Sequence, residues 1–238
     1  MTKNIVNTAL VLLGTGSLLA GCNVEQPDPG CFVQESPHWA VKYDQVEAGR
    51  DAAGDACDTA APPAEMLGVY RYIDLQNGTA KLALRPQGLA SRGPADESTD
   101  QSEQTALGDL ATDRDAEDFC GAPSFPAARV RVASSGNEIV YQYANVRVYS
   151  APSAPGTQLT GELTYTNNGC TSKYVVNALW PAVGCDPEVG TAETNCGPGS
   201  GLNPDFNATC VMGVYCGIFA QPDLEGCCVP TNQVPSFK

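Results

Sequence analysis

Cysteine content restricts the fold of this chain more than any other feature, because paired cysteines cross-link distant segments of a protein. The 238 residues include 11 cysteines. Cys22 ends an apolar N-terminal stretch and stands apart, and an even remainder in an exported chain indicates disulfides throughout. The predicted disulfide cysteines are Cys31, Cys57, Cys120, Cys170, Cys185, Cys196, Cys210, Cys216, Cys227 and Cys228.

A structural metal site is the alternative use of these cysteines. Zinc sites require closely spaced cysteine pairs or histidine partners. Here the gaps are wide apart from the adjacent Cys227 and Cys228, and His38 is the single histidine. Disulfides are therefore favoured, and no metal or other cofactor is expected.

The connectivity of the first four cysteines is not determined by their spacing, because several pairings are compatible with it. We expect Cys31 to pair with Cys57 and Cys120 to pair with Cys170. Each of these pairs is consecutive in the sequence, and each member lies at the edge between a loop and a predicted strand.

The remaining six cysteines are concentrated in the C-terminal segment, residues 185–238. They are expected to pair among themselves, with Cys227 and Cys228 bound to different partners. A segment this short builds little apolar core by itself. We therefore predict a loop-rich C-terminal subdomain that is cross-linked by disulfides.

The N-terminus has the pattern of an export signal. Lys3 is followed by a mostly apolar stretch, residues 5–20. This stretch is shorter than the roughly 20 apolar residues that span a membrane, and Asn, Thr, Gly and Ser interrupt it. It fits the hydrophobic region of a signal peptide, which we assign to residues 1–21.

The signal ends in Leu19-Ala20-Gly21-Cys22, which resembles the bacterial lipobox. This resemblance implies that the Cys22 thiol receives a diacylglyceryl group, that a peptidase cuts before Cys22, and that the new amine is acylated, with palmitate among the acyl chains. An ordinary secretory signal that happens to end in cysteine is the alternative.

A lipidated Cys22 defines the partner and the location of the chain. Acyl chains in this number anchor a protein firmly to a membrane. Residues 22–30 form a polar, proline-rich tether, which is extended. Asn23 replaces the aspartate that retains lipoproteins in the inner membrane of enterobacteria, so the outer membrane is expected, with the protein facing the periplasm or the cell surface.

Composition excludes several classes of partner. The chain carries 13 Lys+Arg against 27 Asp+Glu, a formal net charge of -14. This charge argues against binding to nucleic acid and against electrostatic docking on anionic lipid. Apolar residues make up 42% and charged residues 17% of the chain, which is typical of a folded protein.

Alternating apolar residues and turn signals predict a mainly β fold for residues 31–184. The predicted strands are residues 39–43, 68–75, 79–85, 129–132, 138–149, 158–166 and 171–180. Asn77-Gly78 predicts a two-residue hairpin turn, and the change of phase at Ala144-Asn145 predicts a β-bulge. Short strands punctuated by Gly, Pro and Asn indicate an antiparallel β-sandwich or barrel.

Two segments of this β domain are predicted as loops. Residues 44–63 are rich in Ala, Gly and Asp, and residues 91–118 are strongly acidic. We expect 91–118 to be a mobile acidic loop that is dispensable for folding, because it offers little apolar area to bury. A calcium site near Asp113 is the alternative, although Asp118 and Ser124 occupy the EF-hand positions that require Gly and Glu.

Several segments resemble the lipoprotein A (MlpA-type) family of myxobacteria. They are residues 161–170 (GELTYTNNGC), 174–185 (YVVNALWPAVGC) and 199–206 (GSGLNPDF), together with the positions of Cys31, Tyr43, Cys57, Cys210 and Cys216. The resemblance implies an exported, acylated protein of the cell envelope. It carries no functional residues over, and it marks the acidic stretch as an insertion of this chain.

The sequence contains no recognisable catalytic machinery. It lacks the G-x-S-x-G and S-x-x-K signatures of serine nucleophiles, and His38 is expected to be a surface or packing residue. The predicted sheet carries aromatic residues that serve either cross-strand packing or a ligand-binding face. They are Tyr141, Tyr143, Tyr149, Tyr165, Tyr174 and Trp180.

These observations favour a non-catalytic, lipid-anchored envelope lipoprotein with a structural or ligand-binding role. Its partner in the envelope, a protein or a glycan, is not identified by the sequence. Two alternatives remain: an anchored inhibitor or contact protein that uses the cysteine-rich tail, and a hydrolase that uses two carboxylates.

Overall fold

A computed structural model describes residues 30–97, 101–132, 134–188, 195–213, 216 and 226–238. The predicted signal peptide, the lipidation site Cys22 and the tether up to residue 29 lie outside the described residues. No helix within these ranges is long and apolar enough to cross a membrane.

The main body is a nine-stranded antiparallel sheet, in the order β4-β3-β2-β1-β9-β8-β7-β5, with β6 also paired to β7. Its strands are β1 (Ser36–Arg50), β2 (Ala64–Asp74), β3 (Thr79–Pro86), β4 (Ala106–Leu110), β5 (Phe119–Ser124), β6 (Ala128–Val132), β7 (Asn137–Tyr149), β8 (Gln158–Asn167) and β9 (Cys170–Leu179). The predicted mainly β, antiparallel fold is confirmed.

The sheet curls into a nearly closed barrel, which decides between the sandwich and the barrel. The two end strands, β4 and β5, approach each other, and Ala111 N donates a hydrogen bond of 2.8 Å to Gly121 O. The inward side chains of every strand meet in one apolar core, which includes Trp39, Leu67 and Leu163. A short helix, α1 (Gln87–Ala90), contributes its buried Leu89 to the same core.

A smaller sheet follows the barrel, with the strand order β10-β12-β11. Its strands are β10 (Gly184–Cys185), β11 (Ala208–Met212) and β12 (Gly226–Pro230). Val229 of β12 is buried beside Ala40 of β1 and Ala64 of β2. The described part of the tail therefore packs back against the barrel. This arrangement does not favour the inhibitor alternative, for which we would expect a protruding cross-linked loop.

The disulfides differ from the expected connectivity in the barrel. Cys31 is bonded to Cys120, and Cys57 is bonded to Cys170, so the prediction of Cys31–Cys57 and Cys120–Cys170 is wrong. The sheet explains the correction: Cys57 follows β1, whose partner strand β9 begins at Cys170. Consecutive order in the sequence does not reveal such long-range neighbours.

In the tail, the six cysteines pair among themselves, as their clustering predicted. Cys185 is bonded to Cys210, Cys196 to Cys228, and Cys216 to Cys227, so the two adjacent cysteines have different partners.

The acidic stretch 91–118 does not form the mobile loop that we expected. Ala106–Leu110 is strand β4, in which Ala106, Gly108 and Leu110 face inward and the intervening residues are exposed. Gln101–Gln104 forms a 3-10 turn in which Gln104 is buried. The alternating pattern of β4 is only five residues long. The acidic composition of the surrounding segment favoured a loop and outweighed this short pattern.

Two further local predictions need correction, and one is confirmed. Strand β1 continues to Arg50 through residues predicted as a loop. The β2–β3 hairpin has four loop residues, because Asp74 pairs with Thr79. The predicted bulge is present: the register of β7 against β8 shifts between Ala144 and Arg147.

Gly161 lies in β8 opposite this bulge, between the register positions of Glu162 and Thr160. A Cβ atom at this glycine would lie 2.9 Å from Val146 Cγ2 and 3.1 Å from Val146 Cα. A larger residue at position 161 would collide with the bulged strand, so the bulge in β7 requires glycine at this position of β8.

Candidate functional site

The six aromatic residues named from the sequence serve packing: five contact the barrel core, and Tyr149 packs against the apolar cluster of the tail. Tyr141, Tyr143, Tyr165 and Tyr174 are buried. The rings of Tyr141 and Tyr165 meet edge to face with their centroids 5.1 Å apart. Tyr149 stacks edge to face on Phe119, and Trp180 packs against the core. The packing interpretation is the one that the structure supports.

Three tyrosines and one backbone amide surround a carboxylate that the sequence analysis did not identify. Glu65 on β2 is fully buried, with 0% of its surface exposed. Tyr43 donates a hydrogen bond of 2.9 Å to Glu65 Oε1, and Tyr141 donates one of 3.1 Å to the same oxygen. The Gly88 amide of α1 donates a bond of 2.5 Å to Oε2, and the hydroxyls of Tyr43 and Tyr143 lie 3.2 Å apart.

Burial dominates the electrostatics of this centre. Loss of solvent raises the pKa of Glu65 from 4.5 to about 7, although the hydrogen bonds from Gly88, Tyr43 and Tyr141 and the charge of Arg92 lower it. Burial, and next the charge of Glu65, raise the pKa of Tyr43, so that its hydroxyl remains a donor. The centre is an enclosed hydrogen-bonded network that joins β1, β2, β7 and α1, and its carboxylate has no open path to a substrate.

Three of the acidic residues in the β4–β5 connection are held by arginine side chains, and Asp113 accepts a hydrogen bond from the Thr112 hydroxyl. Arg147 contacts Asp115 at 2.7 Å and Glu117 at 2.8 Å, and Arg114 contacts Asp118 at 2.9 Å. Asp115 Oδ1 also accepts the amides of Glu117 and Phe119. These contacts use the oxygens that a calcium ion would need, so the geometry favours a structural role for the turn over the calcium alternative.

The cysteine sulfurs of the tail do not offer a metal centre. Sγ atoms of Cys185, Cys196 and Cys228 lie within 4.8 Å of one another. All three residues are in disulfides, and a disulfide sulfur is not the thiolate that binds zinc. His38 is half-buried at the start of β1, where its carbonyl oxygen accepts a hydrogen bond from Ala182 N.

The β2–β3 hairpin extends past the pairing of β1 with β2, at the end of the barrel where the described chain begins. The pairing of β1 with β2 ends at Ser36 and Val69, whereas the pairing of β2 with β3 continues to Asp74 and Thr79. Five residues of β2 therefore lie past the last residue that pairs with β1.

Apolar side chains of this extension are exposed together with a neighbour from the N-terminal segment. The exposed fractions are 88% for Leu75, 58% for Tyr72, 51% for Ile73 and 39% for Phe32. Asp74 holds the turn in shape by accepting hydrogen bonds from Gln76 N and from the Asn77 amide and side chain. These bonds, that from the Asn77 side chain above all, lower the pKa of Asp74.

Arg71 joins the hairpin to the N-terminal segment. Its guanidinium donates a hydrogen bond to Cys31 O and lies 5.9 Å from the centre of the Phe32 ring. Its Nε atom is 3.9 Å from Glu35 Oε1. A groove of about 280 Å³ lies between the segments, lined by Cys31, Arg71, Ile73, Asp74, Leu75, Gly78, Thr79, Ala80, Ala111 and Thr112.

We call Phe32, Arg71, Tyr72, Ile73 and Leu75 the apical surface. Arg71, Ile73 and Leu75 line the groove, and Tyr72, which alternates with them, lies on the other face of the hairpin. The sequence predicts a strand over 68–75 but does not reveal that its last residues pair with β3 alone, beyond the end of the β1 pairing. The signal available was Ile73-Asp74-Leu75, where large apolar residues adjoin a turn of polar residues.

The opposite end of the barrel has a different character. Its cavity of about 320 Å³ is lined by charged residues of both signs: Asp96, Glu97, Glu103, Arg129, Arg131 and Glu138. Arg129 is paired with Glu103, and Arg131 with Glu138. The two ends thus differ: the end where the described chain enters exposes apolar side chains beside the acidic β4–β5 turn, and the other end exposes charged residues of both signs.

Comparison with known proteins agrees with the sequence motifs. The sequence profile of the MlpA family matches residues 37–181, which include most of the barrel. The chain is also 54% identical over 242 aligned positions to a protein of Myxococcus xanthus named "Putative lipoprotein MlpA", with 100% of both chains covered. No solved structure matches the chain. The match over most of the barrel and the full-length identity together show that this chain belongs to the MlpA family of lipoproteins.

Proposed function

We propose that this lipoprotein is anchored in the outer membrane by acyl chains on Cys22 and serves there as a non-catalytic structural or binding module. The observation that carries the proposal is the position of Cys31. Its disulfide to Cys120 and its backbone hydrogen bond to Thr112 O hold the first described residues at the apical end of the barrel. The tether from Cys22 therefore ends at a fixed point on a folded domain.

The lipobox residues support the first part of this proposal. Leu19, Ala20 and Gly21 precede Cys22 with the spacing that the acylating enzymes require. The name of the Myxococcus xanthus relative is in keeping with this assignment. Asn23 supports the outer membrane as the destination, by the enterobacterial rule for the residue after the lipidated cysteine.

The non-catalytic role is supported by the state of the acidic residues. Glu65 is enclosed by tyrosines, and three acids of the β4–β5 turn are bound to Arg114 and Arg147. A glycoside hydrolase requires two carboxylates that face one substrate. The charged cavity at the opposite end of the barrel does bring carboxylates together, but Glu103 and Glu138 are paired there with Arg129 and Arg131. Asp96 in the same cavity accepts hydrogen bonds from the Gln104 side chain and the Arg131 amide.

Substitution of Cys22 tests the anchor. The Cys22→Ser variant removes the thiol that accepts the diacylglyceryl group, so we expect unprocessed precursor and no incorporation of labelled palmitate. Gly21→Ala retains a small residue before the cleavage site and serves as the matched control, with normal processing and labelling. Palmitate labelling of the Cys22→Ser chain would refute the assignment.

Membrane fractionation tests the destination. We expect the wild-type chain in the outer-membrane fraction of an enterobacterial host. The Asn23→Asp variant should move to the inner-membrane fraction, because it restores the retention residue. An identical distribution of the two chains would contradict the proposed role of Asn23.

A further inference from the structure

We propose that the apical surface is a second membrane contact, which inserts its apolar side chains into the headgroup–acyl boundary of the bilayer that holds the anchor. This inference rests on the proposed function, since acylation at Cys22 brings the barrel to the lipid. It assigns to the β2–β3 hairpin an interaction that the anchor alone does not require.

The length of the tether brings this end of the barrel to the membrane. Eight peptide steps separate Cys22 from Gly30, and at up to ~3.6 Å per residue they span at most about 30 Å. Gly30 adjoins Cys31, which lines the same groove as Ile73 and Leu75. The apical surface is therefore the part of the barrel that the tether holds nearest to the lipid.

The chemistry of the surface suits the boundary region of a bilayer. Leu75 and Ile73 expose aliphatic groups, and Phe32 and Tyr72 expose aromatic rings. Apolar side chains gain free energy by leaving water for the acyl boundary, and tyrosine places an apolar ring there with its hydroxyl in the headgroup layer. Arg71, beside Phe32, holds the N-terminal segment against the hairpin through Cys31 O, so the exposed apolar side chains of the two segments stay together.

The polar groups of the hairpin limit how deeply it inserts. The Asp74 carboxylate is exposed beside Leu75 and accepts three hydrogen bonds within the turn, so it is suited to the headgroup layer and not to the acyl interior. The turn leaves Leu75 88% exposed, the most exposed of the large apolar side chains of the described residues. With a net charge of -14 on the chain, the contact depends on apolar area and not on anionic lipid.

Fluorescence of a tryptophan placed at the hairpin tip tests the contact. The acylated mature protein is reconstituted into phosphatidylcholine vesicles that contain brominated acyl chains, which quench indoles within the bilayer. Leu75→Trp is compared with Val46→Trp, a matched control on β1 toward the opposite end, where the wild-type side chain is 60% exposed. The wild-type protein supplies the background of Trp39 and Trp180.

We expect the indole at position 75 to be quenched at least threefold more than the indole at position 46, with little change between low and high salt. Equal quenching of the two indoles in acylated protein would refute the contact while leaving the anchor intact. A chain that carries no acyl groups by intact mass would refute the proposed function instead, and the contact with it.

A second copy of this chain is the other occupant that an apolar surface admits. If the Leu75→Trp protein dimerises in sedimentation velocity, and the indole is shielded from soluble quencher in the absence of lipid, the apical surface is a protein interface. That result would overturn the assignment to the membrane.

Discussion

The barrel and the C-terminal sheet are held together by different means. The barrel has one apolar interior that draws on all of its strands, with the Glu65 network inside it, and its two disulfides span 89 and 113 residues. The C-terminal sheet has three short strands, and its disulfides span 25, 32 and 11 residues. Three of the eight buried residues in its main apolar cluster are cysteines.

This difference follows from the area that each region is able to bury. A sheet of nine strands encloses enough apolar surface to offset the entropy of ordering its chain, whereas a sheet of three short strands does not. We conclude that the disulfides of the barrel add to a fold that burial already specifies, and that those of the tail are needed for its fold.

The sharpest test of the barrel is removal of its end strand. Replacement of residues 101–118 by a short Gly/Ser linker deletes β4 and exposes the edge of β3 and the core beneath Ala106 and Leu110. We expect loss of the cooperative thermal transition, measured by near-ultraviolet circular dichroism. Leu107→Ser is the control in the same strand, where the side chain faces solvent, and should leave the transition nearly unchanged.

A midpoint for the linker variant within a few degrees of the wild type would show that the segment is a dispensable loop after all. The barrel would then owe its stability to the other strands, and its near closure would contribute little.

Removal of one disulfide from each region tests the comparison directly. The chain-entropy model gives about 5 kcal/mol for the loop closed by Cys57–Cys170 and about 4 kcal/mol for the loop closed by Cys196–Cys228. We expect the Cys57→Ser/Cys170→Ser variant to retain a folded barrel with a lower free energy of unfolding. In the Cys196→Ser/Cys228→Ser variant, the C-terminal sheet should unfold while the barrel remains folded.

Amide hydrogen exchange distinguishes these outcomes. In the tail variant, the amides of β11 and β12 should lose protection while those of β7 and β8 keep theirs. Protection that persists in β11 and β12 would mean that burial alone suffices for the small sheet, and the comparison would fail.

The Glu65 network predicts how the stability of the barrel depends on pH. The pKa of Glu65 is raised from 4.5 to about 7 on folding, so the folded state binds the proton more tightly than the unfolded state. Stability from this group is full below about pH 4.5 and is lost as the pH rises to about 7 and above. The difference between the two pKa values corresponds to about 3 kcal/mol.

Urea denaturation between pH 5 and 8 measures this effect. The Glu65→Gln variant should unfold with a free energy that varies much less across this range, because the titrating group is gone. Glu162→Gln is the control, since that carboxylate is exposed on β8. An unchanged pH profile in Glu65→Gln would show that the network does not contribute to the dependence.

Substitution opposite the bulge in β7 should give the smallest change in the free energy of unfolding. Gly161→Ala places a methyl group against Val146, and we expect a loss of about 1–3 kcal/mol, as is typical of overpacking. Gly121→Ala is the control, because a Cβ atom there has open space. Equal stabilities of the two variants in urea would show that β7 moves away at no cost.

The local elements of the barrel were largely predictable because they depend on neighbouring residues. Alternation indicated seven of the nine barrel strands, all but β4 and β5. Asn168-Gly169 lies in the tight turn between β8 and β9, and Ala144-Asn145 marked the bulge. Short strands escaped detection: β4 carries only Ala106, Gly108 and Leu110 as its inward set. In the apical surface, Ile73 and Leu75 are exposed because the pairing with β1 ends before them. The residues around Ile73 and Leu75 do not indicate where that pairing ends.

The sequence by itself determined the disulfide-rich, mainly β character of the chain, because cysteine number and apolar alternation are properties of composition and spacing. Only the tertiary structure decided which cysteines meet, that Glu65 is enclosed by tyrosines from β1 and β7, and that the hairpin tip lies beside Cys31. These facts depend on the order of strands around the barrel. That order brings together residues far apart in the chain, and no local pattern encodes it.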